Sequence, residues 1–339
     1  MNRSPAACFA DAYRGFEDAC QSAGRIDRFY GLGSVTVRLT FAGPALLPLL
    51  TPALAHLSVD TAAQPDLSVC VWEQVPLDRA VRPVVPGAAR FAREGELCMT
   101  VGPGRSGLSL LDCRRNLALY SIAEAGEIPA YATAAPFLDI LHWWMRLRGA
   151  GIVHAAALGT PTGGVLLVGK GGAGKSTTAL ACLGEELRHA ADDHCLITPA
   201  DPPTAWSLYS SAKLRSDQLE RFRALHCGAR ERFDEGKAIV VLYPRERDKL
   251  IAHFPLRAIL AVRVTGRQDT ALSRAAPAAV LQALAPSTVL QLRGADQRDL
   301  SFLADLARRV PGYFLDVGTN LTRIKPTIAD LLSDMSGPR

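Results

Sequence analysis

The chain has 339 residues, of which 48% are hydrophobic and 21% charged, and its formal net charge is +5 at pH 7. The length favours two domains, and the composition is typical of a globular protein with a buried core. The small charge excess is spread along the chain, so it does not favour nucleic acid as a partner. No apolar run approaches the length of a membrane span, and residues 1–10 lack a signal-peptide core, so we expect a cytoplasmic protein with no membrane contact.

The eight cysteines show no C-x-x-C pair and no paired spacing with histidine. This pattern does not favour a disulfide framework or a metal site. We interpret the cysteines as reduced and mostly buried thiols, which agrees with a cytoplasmic location.

Residues 1–132 are interpreted as a strand-rich N-terminal module with no recognisable chemistry of its own. Alternating or short apolar runs between clusters of proline and glycine predict its strands. The strands are expected at residues 33–41, 67–72, 96–101, 108–112 and 116–122, with a helix around 45–57.

A helix is predicted over residues 134–147, with Thr133 as its cap, Pro136 in its first turn and Gly149 beyond its end. Trp143 and Trp144 on this helix are interpreted as a packing face. We place the start of the second domain, residues 133–339, at this helix.

The second domain is predicted to be an α/β core, because strands and helices alternate along it. The strands are expected at residues 151–158, 165–168, 238–243, 257–264 and 313–317, and residues 190–198 bring an acidic pair followed by the apolar run 195–197. The helices are expected at residues 177–187, 278–285, 299–310 and 326–335.

Residues 169–176 read G-K-G-G-A-G-K-S directly after the apolar run 165–168. This is the complete pattern G-x-x-x-x-G-K-[ST] between a predicted strand and a predicted helix, and it indicates a loop whose backbone N–H groups surround phosphate oxygens. We expect Lys175 to reach the terminal phosphates of ATP and the Ser176 hydroxyl to bind Mg²⁺. The expected nucleotide-binding residues are Gly169, Gly171, Gly172, Ala173, Gly174, Lys175, Ser176 and Thr177.

Asp192 and Asp193 follow the end of the predicted helix, where the chain turns back towards the phosphates. Adjacent residues of an extended chain point in opposite directions, so the backbone must bend there if both are to reach the site. One carboxylate can then bind Mg²⁺ and the other can accept a proton from a hydroxyl. The alternative is a solvated turn.

His154 lies among small apolar residues in the strand before the phosphate-loop strand. A polar side chain in such a run needs a partner or a cleft. It is either a hydrogen-bonded core histidine or a residue of the site.

The order of His154, the phosphate loop and the A-D-D segment at residues 191–193 resembles the catalytic domain of bacterial HPr kinase/phosphorylase. The resemblance implies the P-loop kinase core shared with phosphoenolpyruvate carboxykinases. It also implies that Asp193 is the base towards a serine hydroxyl, that Asp192 assists with metal or positioning, and that His154 lies near the reacting phosphate. Relatives in that family form higher oligomers, so it implies self-association as well.

The chain departs from that family in lacking an E-[IV]-R-G-L-G segment, which supplies a further metal-binding glutamate. The corresponding region, residues 206–217, reads W-S-L-Y-S-S-A-K-L-R-S-D. Lys213, Arg215 or Lys237 either neutralises phosphate charge in its place or lies on the surface. The N-terminal module also differs from that of the family.

The chain is more similar to the divergent kinases of lasso peptide gene clusters, which phosphorylate a serine on a precursor peptide. The likeness lies in the strand-rich first half, the W-W helix, the H-A-A-A strand and the A-D-D motif. It implies an ATP-dependent serine kinase acting on a peptide or small protein, with the C-terminal serine of a lasso-type precursor as acceptor. The N-terminal module would capture the peptide, for example by strand addition.

Other classes of protein remain open at this point. Lys170 completes the K-G-G-x-G-K-[ST] pattern of ParA/MinD-type ATPase switches, although their loop lies near the start of the chain. A nucleotide-binding scaffold without catalysis and a small-molecule kinase are further alternatives. The sequence also leaves open the identity of the acceptor, the choice between ATP and GTP, and any reverse phosphorylase activity.

Overall fold

The computed structural model describes residues 4–61, 64–73, 90–102, 107–215 and 236–336, together with Gln218, Phe222 and the strand Arg232–Asp234. The chain divides into two compact units, Met1–Arg148 and Gly149–Arg339. Both units combine helices with strands, so the fold is mixed α/β.

The first unit is built on an eight-stranded sheet with the order β3-β1-β2-β4-β8-β7-β6-β5. Its strands are β1 (Arg25–Leu32), β2 (Val35–Ala42), β3 (Ser58–Val59), β4 (Leu67–Glu73), β5 (Arg90–Glu94), β6 (Leu97–Val101), β7 (Leu108–Asp112) and β8 (Leu117–Ile122). The pairs β2–β4 and β4–β8 are parallel, and the other pairs are antiparallel. All five predicted strands of this half correspond to observed strands, whereas β1, β3 and β5 were not predicted.

Helix α1 (Pro5–Ala23) covers one face of this sheet and was also not predicted. The Ser4 side chain caps its first turn by accepting a hydrogen bond from the Ala7 N–H, and Gly24 follows its last residue. Phe16 and its neighbours one helical turn away pack on Trp72 of the sheet. Each of these start, stop and spacing signals was present in the sequence.

The remaining helices of this unit are shorter than predicted. A short helix α2 (Leu47–Leu50) and a 3₁₀ turn (Pro52–Leu57) replace the helix expected around residues 45–57. Helices α3 (Ala130–Ala134) and α4 (Leu138–Arg146) replace the one expected over 134–147. The Thr133 hydroxyl donates to the Ala130 carbonyl instead of capping α4.

Helix α4 fixes where the two units divide. Trp143 and Trp144 are fully buried, as predicted, and the helix contacts β7 of the first unit. The division after Arg148 therefore replaces the predicted one after residue 132.

The second unit has a nine-stranded mixed sheet and a separate three-stranded sheet. The strands of the larger sheet are β9 (Gly151–Val153), β10 (Ala156–Thr160), β11 (Gly163–Val168), β12 (Arg188–Ala191), β13 (Cys195–Thr198), β14 (Thr204–Trp206), β18 (His253–Val264), β19 (Ala271–Ala275) and β20 (Gly312–Val317). The smaller sheet has the order β15-β17-β16, from β15 (Ser211–Arg215), β16 (Arg232–Asp234) and β17 (Lys237–Val241).

Strand β11 is central and parallel to β18, which is in turn parallel to β20. Its side chains alternate between two hydrophobic clusters, with Leu166 in one and Val165 in the other. A strand buried on both faces reads as a continuous apolar run, which is why the sequence predicted it well.

Helices cover both faces of the larger sheet. Helices α6 (Pro277–Gln291) and α7 (Gln297–Arg309) pack on one face, and α5 (Lys175–Ala181) and α8 (Ile324–Ser336) pack on the other. Helix α5 has seven residues and ends before the predicted limit at residue 187. The three-stranded sheet packs on Leu180 of α5.

Among the described residues, no helix is both long and apolar enough to cross a membrane. The cysteines of that part of the chain are all free thiols, of which Cys113 is half-buried and the others are buried.

Candidate functional site

Residues 169–176, the predicted phosphate loop, follow β11 at the carboxyl edge of the parallel strands, where ligands bind in open α/β sheets. Gly172 and Gly174 have φ of 80° and 95°, a region that side chains other than glycine rarely adopt. A Cβ on Gly174 would also lie 3.1 Å from Val264 Cγ2. The loop conformation therefore requires glycine at these positions, as the motif predicts.

Lys175 lies at the start of α5 and folds back over the loop. Its Nζ donates hydrogen bonds to the carbonyls of Gly169 at 2.8 Å and Lys170 at 3.4 Å. Burial lowers the pKa of this ammonium, while the charges of Asp192 and Asp193 act to raise it. The ammonium therefore lies at the loop, close enough to both aspartates for their charges to act on it.

Two neighbouring strands of the larger sheet are interrupted at the same level. The predicted strand 151–158 is split into β9 and β10, and the segment that holds the two aspartates is split into β12 and β13. Val153 pairs with Cys195 before the gap and Ala157 pairs with Ala191 after it, in the same antiparallel register. Residues 154–156 therefore lie opposite 192–194 without pairing to them, and His154 faces the two aspartates.

The backbone bends sharply at Asp193, as the sequence argument required. Asp193 has φ of 67°, and the His194 N–H donates to the Asp192 carbonyl at 2.9 Å across it. A positive φ is uncommon outside glycine, and such strain concentrates at functional sites. The bend turns both carboxylates to the same side of the chain.

Asp192 is buried, with 2% of its surface exposed. Burial and then the charge of Asp193 raise its pKa to about 6, against the lowering effects of the Lys213 N–H, the Ser176 hydroxyl and Lys175. Oδ2 accepts from the Lys213 N–H at 2.9 Å. Oδ1 is buried and has no hydrogen-bond partner within the described part of the chain.

This arrangement fits a divalent cation. A buried carboxylate oxygen without a partner, close to a serine hydroxyl at the start of the phosphate-loop helix, is the oxygen donor set that Mg²⁺ takes in nucleotide sites. Ser176 and Asp192 would hold the ion, and Mg²⁺ when bound would neutralise charge on the phosphate oxygens.

Asp193 is held by two neighbours, one on each carboxylate oxygen. His154 Nε2 lies 3.2 Å from Oδ1, and Lys213 Nζ lies 2.7 Å from Oδ2. Burial acts to raise the pKa of Asp193, but the hydrogen bond from His154 and the charge of Lys213 outweigh it and keep the pKa well below its usual range. Asp193 is therefore an ionised carboxylate at neutral pH.

His154 is neutral in this environment. Burial lowers its pKa, and the hydrogen bond to Asp193 only partly offsets that effect. A neutral imidazole next to a carboxylate must carry its proton on the facing nitrogen, so the Nε2–H donates to Asp193. The His154 N–H donates to the buried Thr288 hydroxyl of α6 at 3.0 Å, which fixes the backbone at the gap between β9 and β10.

Sequence reasoning named Lys213 only as one of three candidate cations and did not identify His194, Tyr209 or Thr288. The His194 ring lies between those of His154 and Tyr209, with centroid distances of 5.9 and 6.4 Å. Of the other two cations, Lys237 acts electrostatically on Lys175, and Arg215 is exposed at the end of β15. Residues 216 and 217 of the segment compared with the family signature lie outside the described residues.

No family model matches the chain, and no curated protein matches it either. Among solved structures it is similar to the Hpr(Ser) kinase/phosphatase from Coxiella burnetii, at 13% sequence identity. The match covers 55% of this chain and 99% of that chain, with a TM-score of 0.32. A similarity at this TM-score supports no statement about activity.

Proposed function

We propose that the protein is an ATP-dependent kinase that transfers the γ-phosphoryl group to a serine hydroxyl on a peptide or small protein. The observation that carries this proposal is the bend at Asp193, which turns two carboxylates with different environments towards the phosphate loop. A nucleotide-binding loop alone binds phosphate, whereas transfer needs a metal ligand and a group that accepts the acceptor's proton.

Each residue has one role in this reaction. The loop amides and Lys175 hold the phosphates, and Ser176 and Asp192 hold Mg²⁺. Asp193 orients the serine hydroxyl and accepts its proton while the serine oxygen bonds to the γ-phosphorus and ADP leaves. His154 donates to Oδ1 of Asp193 and fixes the orientation of the carboxylate, so it is a positioning residue.

The different environments of the two aspartates support this division of roles. Asp193 is ionised and hydrogen-bonded on both oxygens, whereas Asp192 keeps one buried oxygen without a described partner. Two neighbouring carboxylates whose environments push their pKa values apart are typical of sites that separate binding from proton transfer.

For the acceptor, we propose the serine of a lasso-type precursor peptide, with its C-terminal serine as the favoured position. The proposal comes from the sequence resemblance. The first unit would capture the peptide by strand addition, and its sheet offers β3 and β5 at the two ends of the described strand order. Hydrogen exchange at residues 90–94 and 58–59 should slow when peptide is added if either edge is used.

The experiment is to incubate the protein with Mg·ATP and serine peptides and to weigh the peptides by mass spectrometry. The panel contains a peptide ending in serine, its serine-to-alanine counterpart, an internal-serine peptide and HPr protein. We expect a gain of one phosphoryl group on the peptide ending in serine and none on the alanine peptide or with Lys175→Ala protein. ATP hydrolysis with dimerisation and no phosphorylated product would instead support the ATPase-switch alternative. Phosphorylation of HPr alone would support the role of the wider family.

A further inference from the structure

Strand β15 presents Lys213 to the two aspartates. Ala212 and Leu214 point into the hydrophobic cluster on α5, together with Leu180. Side chains alternate along a strand, so Lys213 points to the opposite face of the three-stranded sheet. The sheet is anchored on the helix that begins at the phosphate loop, which places this lysine reproducibly at the site.

Lys213 makes two separate contacts with the aspartate pair. Its backbone N–H donates to Asp192 Oδ2 at 2.9 Å, and its Nζ lies 2.7 Å from Asp193 Oδ2. The backbone bond fixes the position of the residue relative to both carboxylates, while the side chain stays able to move. A lysine side chain has a flexible four-carbon stem and three donors, so its ammonium can exchange one acceptor for another nearby.

Phosphoryl transfer changes the charges that lie next to the Lys213 ammonium. In the described state it faces the negative charge of Asp193. When Asp193 takes the proton from the acceptor hydroxyl, that charge is neutralised. At the same moment negative charge is spread over the oxygens of the transferring phosphoryl group, which in the proposed reaction would lie between Asp193 and the phosphate loop.

We propose that Lys213 is a catalytic residue whose ammonium passes its hydrogen bond from Asp193 to the transferring phosphoryl oxygens. The inference rests on the proposed kinase function. No bond to Lys213 forms or breaks covalently: the acceptor proton goes to Asp193, the phosphoryl group goes to the serine oxygen, and the electron pair of the broken P–O bond leaves with ADP. An interaction that forms only as the reaction proceeds lowers the barrier rather than tightening ground-state binding.

The test uses isothermal titration calorimetry to compare binding of Mg·ADP with binding of Mg·ADP plus aluminium fluoride. The fluoride mimics the phosphoryl group in the transition state of transfer. The variants are Lys213→Met, which keeps the length without the charge, and Lys213→Arg, which keeps the charge. Lys249→Met is the matched control, because Lys249 Nζ forms an ion pair of the same 2.7 Å length with Glu246 and not with either aspartate.

We expect Lys213→Met to change the Mg·ADP affinity by less than about threefold and to weaken the aluminium fluoride complex by about tenfold or more. The kcat on a phosphorylated acceptor should fall by about 100-fold or more, with a partial recovery in Lys213→Arg. Lys249→Met should behave as the wild type in every measurement.

Two results would overturn the inference. One is a Lys213→Met protein that binds both complexes as the wild type does, and the other is an equal loss of affinity for both, which indicates a ground-state role. The kinase proposal is tested by a separate measurement, the phosphorylation of an acceptor. If the wild type phosphorylates an acceptor and Lys213→Met does so at the same rate, only the Lys213 role is lost. If no acceptor is phosphorylated but the fluoride complex depends on Lys213, only the acceptor assignment is lost.

Discussion

His154 and Asp193 meet across a gap that interrupts two neighbouring strands at the same level of the sheet, with Nε2 and Oδ1 3.2 Å apart. His154 is buried and neutral, and Asp193 is ionised. In the proposed reaction the histidine would therefore act through the carboxylate, by fixing its direction.

This relationship predicts that substitutions at the two positions are not additive. Asp193→Asn should lower kcat by about 100- to 10,000-fold, the usual range for losing a positioned acid–base group. His154→Ala should lower kcat less, and it should have little further effect in the Asp193→Asn background because its partner is already gone. The measurement is kcat for peptide phosphorylation in a double-mutant cycle. Asp305→Asn, on the exposed face of α7, is the control.

Full additivity of the two losses would contradict the account, because it would mean that His154 contacts the reacting groups independently of Asp193.

Asp192 is expected to reduce the stability of the ligand-free protein at alkaline pH. Burial raises its pKa to about 6, against about 3.9 in an unfolded chain, so the folded state binds its proton more tightly than the unfolded state, and stability is lost as pH rises from about 4 to about 6. At pH 8, Asp192→Asn should raise Tm by about 2–4 °C, a change of about 1 kcal/mol for a unit of this size. The difference should disappear at about pH 3.5, below the pKa of an aspartate in the unfolded chain. Differential scanning fluorimetry at both pH values measures it.

With Mg·ATP bound, the wild type should have a higher Tm than Asp192→Asn, because only the wild type keeps both oxygen ligands for the cation. An Asp192→Asn protein that is less stable than the wild type at pH 8 without ligand would show that this carboxylate is not strained by burial.

Alanine substitutions at the two lysines of the phosphate loop should differ sharply in their effects on Mg·ATP binding and phosphoryl transfer. Lys175 is buried, and its Nζ reaches into the loop, whereas Lys170 is exposed. Lys175→Ala should weaken Mg·ATP binding and lower phosphoryl transfer by about 100-fold or more, since its charge faces the phosphates in a site of low dielectric. Lys170→Ala should change either quantity by less than about threefold. Equal losses for the two variants, in calorimetry and in the peptide assay, would contradict the geometry.

His194 predicts an acid-dependent loss of stability. Burial lowers its pKa to about 3, whereas a histidine in an unfolded chain titrates near 6.5. The unfolded state therefore binds the proton first, and stability falls as pH drops from about 6.5 towards 3, with a limiting slope of about 1.4 kcal/mol per pH unit for one proton. Chemical denaturation of His194→Asn should show a shallower decline over this window. His253→Gln, at an exposed position, should follow the wild type.

An unchanged slope in His194→Asn would assign the acid sensitivity to other groups.

The sequence predicted the parts of the fold that depend on local patterns. Strand β11, buried on both faces, reads as an apolar run, and the glycines of the loop after it are required by its backbone. The bend at Asp193 followed from the need to bring both carboxylates to one side. Helix α1 was not predicted, although Ser4, Pro5 and Gly24 are ordinary signals of a helix start and end. The sequence therefore contained the information needed to place this helix.

Other features depend on contacts that no local pattern encodes. The strand that holds His154 reads as continuous, and it is broken because β9 and β10 pair with different partners, β13 and β12. Lys213 is brought to the site by a small sheet that packs on α5, far along the chain from the aspartates' own strand. The position of a side chain relative to a distant strand is set by tertiary pairing, which explains why Lys213 could only be named as one of several cations.

A crystal structure with Mg²⁺ and a non-hydrolysable ATP analogue would show whether both aspartates serve phosphoryl transfer. We expect a cation bound by the Ser176 hydroxyl and the Asp192 carboxylate, with Asp193 within hydrogen-bond reach of a group placed in line with the γ-phosphate. A structure in which the nucleotide lies in the loop while both aspartates keep their distance from the cation and the γ-phosphate would contradict it.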